Sequence, residues 1–287
     1  MAMQTSTEPP RRSRATRGKR SNGSSQAARA DRYDLYQRSV QEPHSQCQFF
    51  ERVYRKEFGR EPLVLREDFC GTGAVCCEWA RRRRQHAACG FDLDPEPLAW
   101  GLEHNAGALD PETQRRIQLT QADVRQIHGP KGDVISAENF SYFTFRTRDA
   151  LRGYFRAARS NLAQQGVMVL DIMGGPEVME EDREEERQID GFTYVWENHR
   201  FDPINHDCTY FIHFEFRDGS RLRRAFRYDW RLWTIPEVRE LLLEAGFRRV
   251  DVYWEGADDD GDGNGIFRLQ KRAPSDPAWI AYVVGIK

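Results

Sequence analysis

Leu65-Arg66-Glu67-Asp68-Phe69-Cys70-Gly71-Thr72-Gly73 runs from an apolar stretch into a helical one through a turn of small residues. Leu63–Glu67 reads as a buried strand, and helical spacing begins near Gly73 and lasts to about Arg84. Gly71 and Gly73 allow a backbone approach that a side chain would block. The helix start beside them presents unpaired N–H groups to a polar ligand. A lone G-x-G turn is weak evidence, so its weight depends on what the following strands carry.

Two acids supply that weight. Ala87–Asp92 reads as the second strand, and Asp92 ends it nineteen residues past Gly73, within Gly90-Phe91-Asp92-Leu93-Asp94. A carboxylate there can accept hydrogen bonds from the two hydroxyls of a ribose. Ile117–Asp123 reads as the third strand, and Asp123 closes it in Ala122-Asp123-Val124, placed to receive an adenine amino group.

Working outward, Tyr33, Tyr36 and Val40, then Phe49, Phe50, Val53 and Tyr54, recur at helical spacing and mark one or two lead-in helices. Downstream, Glu96–His104 reads as a helix, Asp133–Glu138 as a fourth strand, and Thr147–Leu162 as a long amphipathic helix. Gly166–Met173, nearly all apolar, fits a fifth strand covered on both faces. This alternation predicts an α/β domain with a doubly wound, mostly parallel sheet. It stops near Gly174. Phe192–His199, Thr209–Arg217 and Arg221–Trp230 instead alternate polar and apolar residues, with Asp218-Gly219 as a hairpin turn, and form an antiparallel insert. Thr234-Ile235-Pro236-Glu237 is a capping box opening a helix that Gly246 stops. Val250–Trp254 and Trp279–Ile286 supply two closing strands. The chain thus divides into a tail (1–30), an α/β core (31–174), a β lid (175–231) and closing elements of the core (232–287).

Cys70-Gly71-Thr72-Gly73 resembles the C-G-T-G end of the first motif of class I S-adenosylmethionine (SAM)-dependent methyltransferases. Gly90-Phe91-Asp92-Leu93 resembles their second motif and Ala122-Asp123-Val124 their third. The resemblance covers Leu63–Met173, and the capped helix and last two strands fit the end of that fold. It implies a Rossmann-like, seven-stranded sheet, an enzyme, and SAM as cofactor. Phe69, Cys70, Gly71 and Gly73 would hold the methionine part, with Glu67 standing for the first-motif acid. Asp92 and Leu93 would hold the ribose, Asp123 and Val124 the adenine. Phe69 stands where the family usually has its first glycine, which implies a local change in loop shape. A dinucleotide-binding fold also places an acid at Asp92, but the third glycine of its G-x-G-x-x-G would fall on Cys76.

The substrate of an α/β sheet lies beyond the carboxyl ends of its strands. The fourth strand ends in Glu138-Asn139-Phe140-Ser141-Tyr142 and the fifth in Asp171-Ile172-Met173. Glu138, Tyr142 and Asp171 are the candidate catalytic residues, with Asn139, His213 and Trp230 as candidate acceptor contacts. Asn139–Tyr142 occupies the place of an N-P-P-Y type motif of nucleic-acid amino-methylating enzymes, but lacks both prolines. The insert follows the fifth strand, so it can close over the acceptor or form a homodimer contact.

A net charge of −2 gives no overall attraction for nucleic acid, so a small-molecule methyl acceptor is favoured over RNA or protein. The alternatives are a macromolecular substrate docked through the basic stretch Arg11–Arg20, or a non-catalytic SAM-binding protein. That stretch belongs to a tail poor in large apolar residues, expected to be disordered and solvated. No apolar run is long enough to span a membrane, and none has the form of a secretion signal. The six cysteines contain no C-x-x-C pair, which fits reduced thiols in the cytoplasm and no metal site. Asp258, Asp260 and Asp262 mimic the opening of a calcium loop, but Leu269 stands where the bidentate glutamate belongs, so a flexible acidic loop is expected.

Overall fold

The computed structural model describes residues 24–126, 129–258 and 263–287. The basic stretch Arg11–Arg20, Asp260 and Asp262 lie outside the described residues. The chain enters through α1 (Gln26–Arg29), α2 (Arg32–Val40) and α3 (Pro43–Phe58). The alternating part follows as β1 (Val64–Asp68), α4 (Ala74–Arg82), β2 (Ala87–Asp92), α5 (Pro95–Gly101), α6 (Pro111–Gln114), β3 (Ile117–Gln121), β4 (Gly132–Ala137), α7 (Arg148–Asn161) and β5 (Leu162–Gly174). The insert contributes β6 (Arg183–Ile189), β7 (Phe192–Phe201), β8 (Asp207–Phe216) and β9 (Arg221–Arg231). The chain closes with α8 (Ile235–Glu244), β10 (Arg249–Ala257), β11 (Gly263–Leu269) and β12 (Trp279–Ile286).

The main sheet has the order β11-β10-β12-β5-β4-β1-β2-β3. Pairs among β1 to β5 are parallel, and β12 inserts antiparallel between β5 and β10. Alternation along β5 explains its composition. Val167 and Val169 face one apolar layer with α3 and α4, while Met168, Leu170 and Ile172 face another with α7 and α8.

The sheet has eight strands, not seven, because Gly263–Leu269, expected within a flexible loop, pairs as an outer strand on β10. The insert likewise has a fourth strand, β6, whose run Arg183-Glu184-Glu185-Glu186-Arg187 shows no apolar alternation. Both are mostly exposed edge strands, where charge and glycine guard against further pairing and erase the periodic signal. The N-terminal boundary also moves. Gln26–Arg29, assigned to the disordered tail, is helical, and its Gln26 and Ala27 N–H groups bond Asp218 and Ser220 at the hairpin of the insert. No described helix is long and apolar enough to cross a membrane.

Candidate functional site

Strands β1 and β4 are neighbours, yet the chain leaves them toward opposite edges, to β2 and to β5. Such a reversal is the point where an α/β sheet offers a crevice to ligands, beyond the carboxyl ends of its strands. The loop after β1 is bent by three left-handed residues, Phe69 (φ 59°), Gly71 (φ 51°) and Gly73 (φ 64°). Phe69 therefore keeps a conformation glycine reaches freely. Its strain of about 1 kcal/mol or more is offset by the ring, which packs edge-on against Phe145 and Tyr154. On the other side, a Cβ on Gly101 would come within 2.0 Å of the Thr72 carbonyl, so only glycine lets α5 press on this loop.

Gly73, the residue before α4, has no side chain with which to cap it. Glu67 does so from β1, accepting the Cys76 N–H at 3.1 Å. The position that would be a third glycine in a dinucleotide fingerprint is thus the donor to a buried carboxylate. Asp92 ties the second strand to the loop. Its two oxygens accept the Gly71 N–H at 2.8 Å and the Asp94 N–H at 2.9 Å, and each retains a lone pair for a ligand hydroxyl. Leu93 beside it is largely exposed. Asp123 lies two residues beyond the end of β3, where it grips Arg125 through both oxygens and is held below the ordinary carboxylate range by that bond. The buried Val124 offers its carbonyl to Arg66 at 2.9 Å, which anchors the Asp123 segment to β1.

Successive residues of β1 face opposite layers. Arg66 and Asp68 turn toward α7, wholly buried, paired at 2.6 Å, with the Tyr154 hydroxyl donating to Asp68 at 2.9 Å. Glu67 turns the other way, toward the side of α3, and shares the strand ends with Glu138 and Asp171. Burial, then repulsion by Asp92 and Asp68, pushes Glu67 up to about 7. Burial likewise pushes Asp171 up to about 7, against the Asn139 and Phe140 N–H groups that donate to it at 2.7 and 2.8 Å. Those bonds hold Asn139 and Phe140 in left-handed conformations, both at φ 56°. Glu138 is raised by burial and by Asp171; one of its oxygens accepts from Gln46 at 3.2 Å and the other has no partner. Tyr142 is fully buried among Phe143 and Phe155, its hydroxyl unpartnered, and is raised by burial and by the charges of Asp171 and Glu138.

The other wall comes from α2 and the insert. Tyr36 and Tyr228 pack against the same apolar cluster of the insert; burial lifts Tyr36 to about 12, helped by the charges of Asp171, Asp92 and Glu67. Tyr228 stacks on Trp230 at 4.4 Å and on Trp196 at 5.8 Å, and Trp230 meets Phe140 edge-on. Gln37 fastens α2 to the loop region, accepting from Thr72 at 3.1 Å and from Asn105 at 2.8 Å. Of the candidate acceptor contacts, Asn139 and Trp230 are therefore brought to the strand ends. His213 is not. It points to the opposite face of β8, bonded to Glu197 at 2.6 Å and to the Arg224 N–H at 2.9 Å. Glu184, Glu197 and His213 are the one group among the described residues with spacing for a metal, and both ring nitrogens of His213 are already engaged within it or beside it. Two cavities of about 250 and 280 Å³ open elsewhere, neither lined by Glu67, Asp92, Glu138 or Asp171.

Tyr36, Gln46, Trp196 and Tyr228 were not among the sequence candidates. Tyr36 carried a signal only as part of an apolar helical stripe, and Gln46 carried none.

No protein-family model matches the chain, and no curated protein matches it in sequence. Solved structures do match in shape. An S-adenosylmethionine-dependent methyltransferase of Clostridium acetobutylicum is 18% identical, with TM-score 0.64 over 88% of this chain and 96% of that one. DesVI of Streptomyces venezuelae is also 18% identical, with TM-score 0.63 over 90% and 98%. A sugar N-methyltransferase of a Streptoalloteichus species is 19% identical, with TM-score 0.59 over 89% and 92%. Strand order, the loop after β1 and these likenesses agree on one conclusion: the chain has the Rossmann-like fold of S-adenosylmethionine-dependent methyltransferases.

Proposed function

We propose that this chain is a SAM-dependent methyltransferase acting on a small-molecule acceptor by direct, in-line transfer. The observation that carries the proposal is the joint placement of the left-handed loop Phe69–Gly73 and Asp92 beside the unpartnered oxygen of Glu138. The site fits the cofactor. The loop backbone, including Cys70, receives the methionine part, and a Cβ on Gly71 would meet nothing within 4 Å, so the loop is open on that side. Asp92 and Leu93 receive the ribose, while Asp123 and Val124 border the adenine. SAM supplies an electrophilic methyl group on a sulfonium, whose departure needs no acid.

The chain's own task is then alignment, exclusion of water and removal of a proton. Glu138 takes the proton, Asp171 positions the Asn139–Phe140 turn, and Tyr142 lies behind them. The roof formed by Tyr36, Trp196, Tyr228 and Trp230 excludes water. The small-molecule acceptor draws support from neighbours of this shape, among them a sugar N-methyltransferase and an amino pentose methyltransferase. Six free and buried cysteines are consistent with a reducing, cytoplasmic setting.

Calorimetric titration with SAM and with S-adenosylhomocysteine, using NAD as control, tests this. Both sulfur ligands should bind, and Asp92→Ala should weaken both by about tenfold or more, equivalent to the loss of one or two charged hydrogen bonds. Binding of NAD alone would overturn the proposal.

A further inference from the structure

Glu67, Glu138 and Asp171 lie at the ends of three adjacent strands, each at least nine-tenths buried. Among the described residues, no guanidinium, ammonium or imidazolium pairs with any of them; their hydrogen-bond partners are the Cys76, Asn139 and Phe140 N–H groups and the Gln46 amide. The adjacent Arg66 is spent on Asp68 on the opposite face. Uncompensated buried carboxylates are costly, and a cation entering between them relieves that cost. Glu67 and Asp171 have both spent bonds on backbone donors, whereas one oxygen of Glu138 and the carbonyl oxygen of Gln46 stay unpartnered and buried. These are acceptors, so the group that completes them is a donor.

The opposite wall is aromatic. Trp196, Tyr228 and Trp230 form one stacked ladder on the inner face of the insert, and Tyr36 of α2 packs against the same apolar cluster as Trp196 and Tyr228. Its link to the carboxylates is short: Trp230 meets the Phe140 ring, and the Phe140 N–H is bonded to Asp171. A cation held between aromatic faces and carboxylates gains from both the ring quadrupoles and the charges. An alcohol, thiol or carboxylic acid gains little or is repelled.

We infer that the methyl acceptor is an amine, held as a cation between the Trp196–Tyr228–Trp230 ladder and the carboxylate of Glu138. The inference rests on the methyltransferase proposal and names its substrate class. The ammonium gives one proton to the free oxygen of Glu138. The nitrogen lone pair then forms the N–C bond to the methyl carbon as the C–S bond breaks and its electron pair stays on sulfur. The products are S-adenosylhomocysteine and a methylated ammonium, with the abstracted proton on Glu138.

The test uses the full chain loaded with S-adenosylhomocysteine, whose own binding heat is measured first. Choline and its neutral, equally shaped counterpart 3,3-dimethylbutan-1-ol are then titrated as probes. Choline is expected to bind at least about tenfold more tightly than the neutral probe. Trp196→Phe should retain part of that preference and Glu138→Gln should erase most of it, with thermal melting confirming that both variants fold. In parallel, a panel of primary and secondary amines is compared for methylation with the matched alcohols, thiols and acids; turnover confined to amines supports the inference. Equal binding of the two probes, no binding of choline, or turnover on alcohols, thiols or acids alone overturns it while leaving the methyltransferase proposal standing. Absence of any S-adenosylhomocysteine heat removes the methyltransferase proposal itself, and the inference with it.

Discussion

On one face of β1, Arg66 and Asp68 are completely buried, paired at 2.6 Å and closed off by the Tyr154 hydroxyl. On the other face, one residue along, Glu67 shares its surroundings with Glu138 and Asp171, and no basic side chain answers them. The two clusters meet at the same end of β1, on its two faces, and both are cut off from water. The first is internally neutral and serves as structure, pinning β1 to the Asp123 segment through the Val124 carbonyl. The second carries acceptors without a counter-charge, and its satisfaction is left to whatever enters the crevice.

Removing the cation from the balanced cluster is the most severe way to break this contrast. Arg66→Met strands a buried Asp68 and should cost about 3–5 kcal/mol, read as a lowered midpoint in urea unfolding. A loss below about 1 kcal/mol would show that Asp68 is hydrated or protonated at no expense, and that the faces do not differ in kind.

The unbalanced cluster has a pH signature. Glu67, Glu138 and Asp171 are raised above their unfolded values, so the folded protein keeps protons that the unfolded chain has already released. Stability of the ligand-free protein should therefore fall as pH climbs from the ordinary carboxylate range, about 4, through about 7. Asp31, Asp133 and Glu51 are held low and act in the opposite sense below that window, while His86 and His213, lowered by burial, oppose the fall near its upper end. Glu138→Gln should reduce the fall across this window by about 1 kcal/mol or more, and saturating SAM, a cation, should reduce it further. Melting temperatures across this range, with and without SAM, decide the matter; a slope identical in Glu138→Gln would mean that Glu138 does not titrate there.

The smallest effect sharpens the structural side. Tyr154→Phe removes one hydrogen bond from Asp68 and leaves Arg66 in place, so a loss of about 1 kcal/mol in thermal unfolding is expected. A loss as large as that of Arg66→Met would make the tyrosine, rather than the ion pair, the main support of the carboxylate.

Much of this was legible before the chain was folded. Ala87–Asp92 and Trp279–Ile286 stand at the boundaries their apolar patterns imply, and the capping box at Thr234 forms with both of its bonds. Asp92 sits where the strand–turn–helix pattern put it. Edges were less readable: β6 and β11 bury little on either face, so neither needs an alternating sequence. His213 shows the limit of a residue-type argument. Its strand and register face were plain from alternation, but which face of the insert turns toward the crevice was not.

Local chemistry accounts for the part the sequence determined. Periodicity, turn glycines and caps act between residues a few positions apart, and they are sufficient to place strands, helices, the loop Phe69–Gly73 and its acidic partner Asp92. The tertiary structure alone decided which buried charge has a partner. Asp68 meets Tyr154 across 86 positions, and Glu138 meets Gln46 across 92. Such pairings depend on how layers stack, and they leave no spacing in the chain to be read. The division of one strand end into a neutral structural face and an acidic face prepared for a cation is a property of the packed sheet.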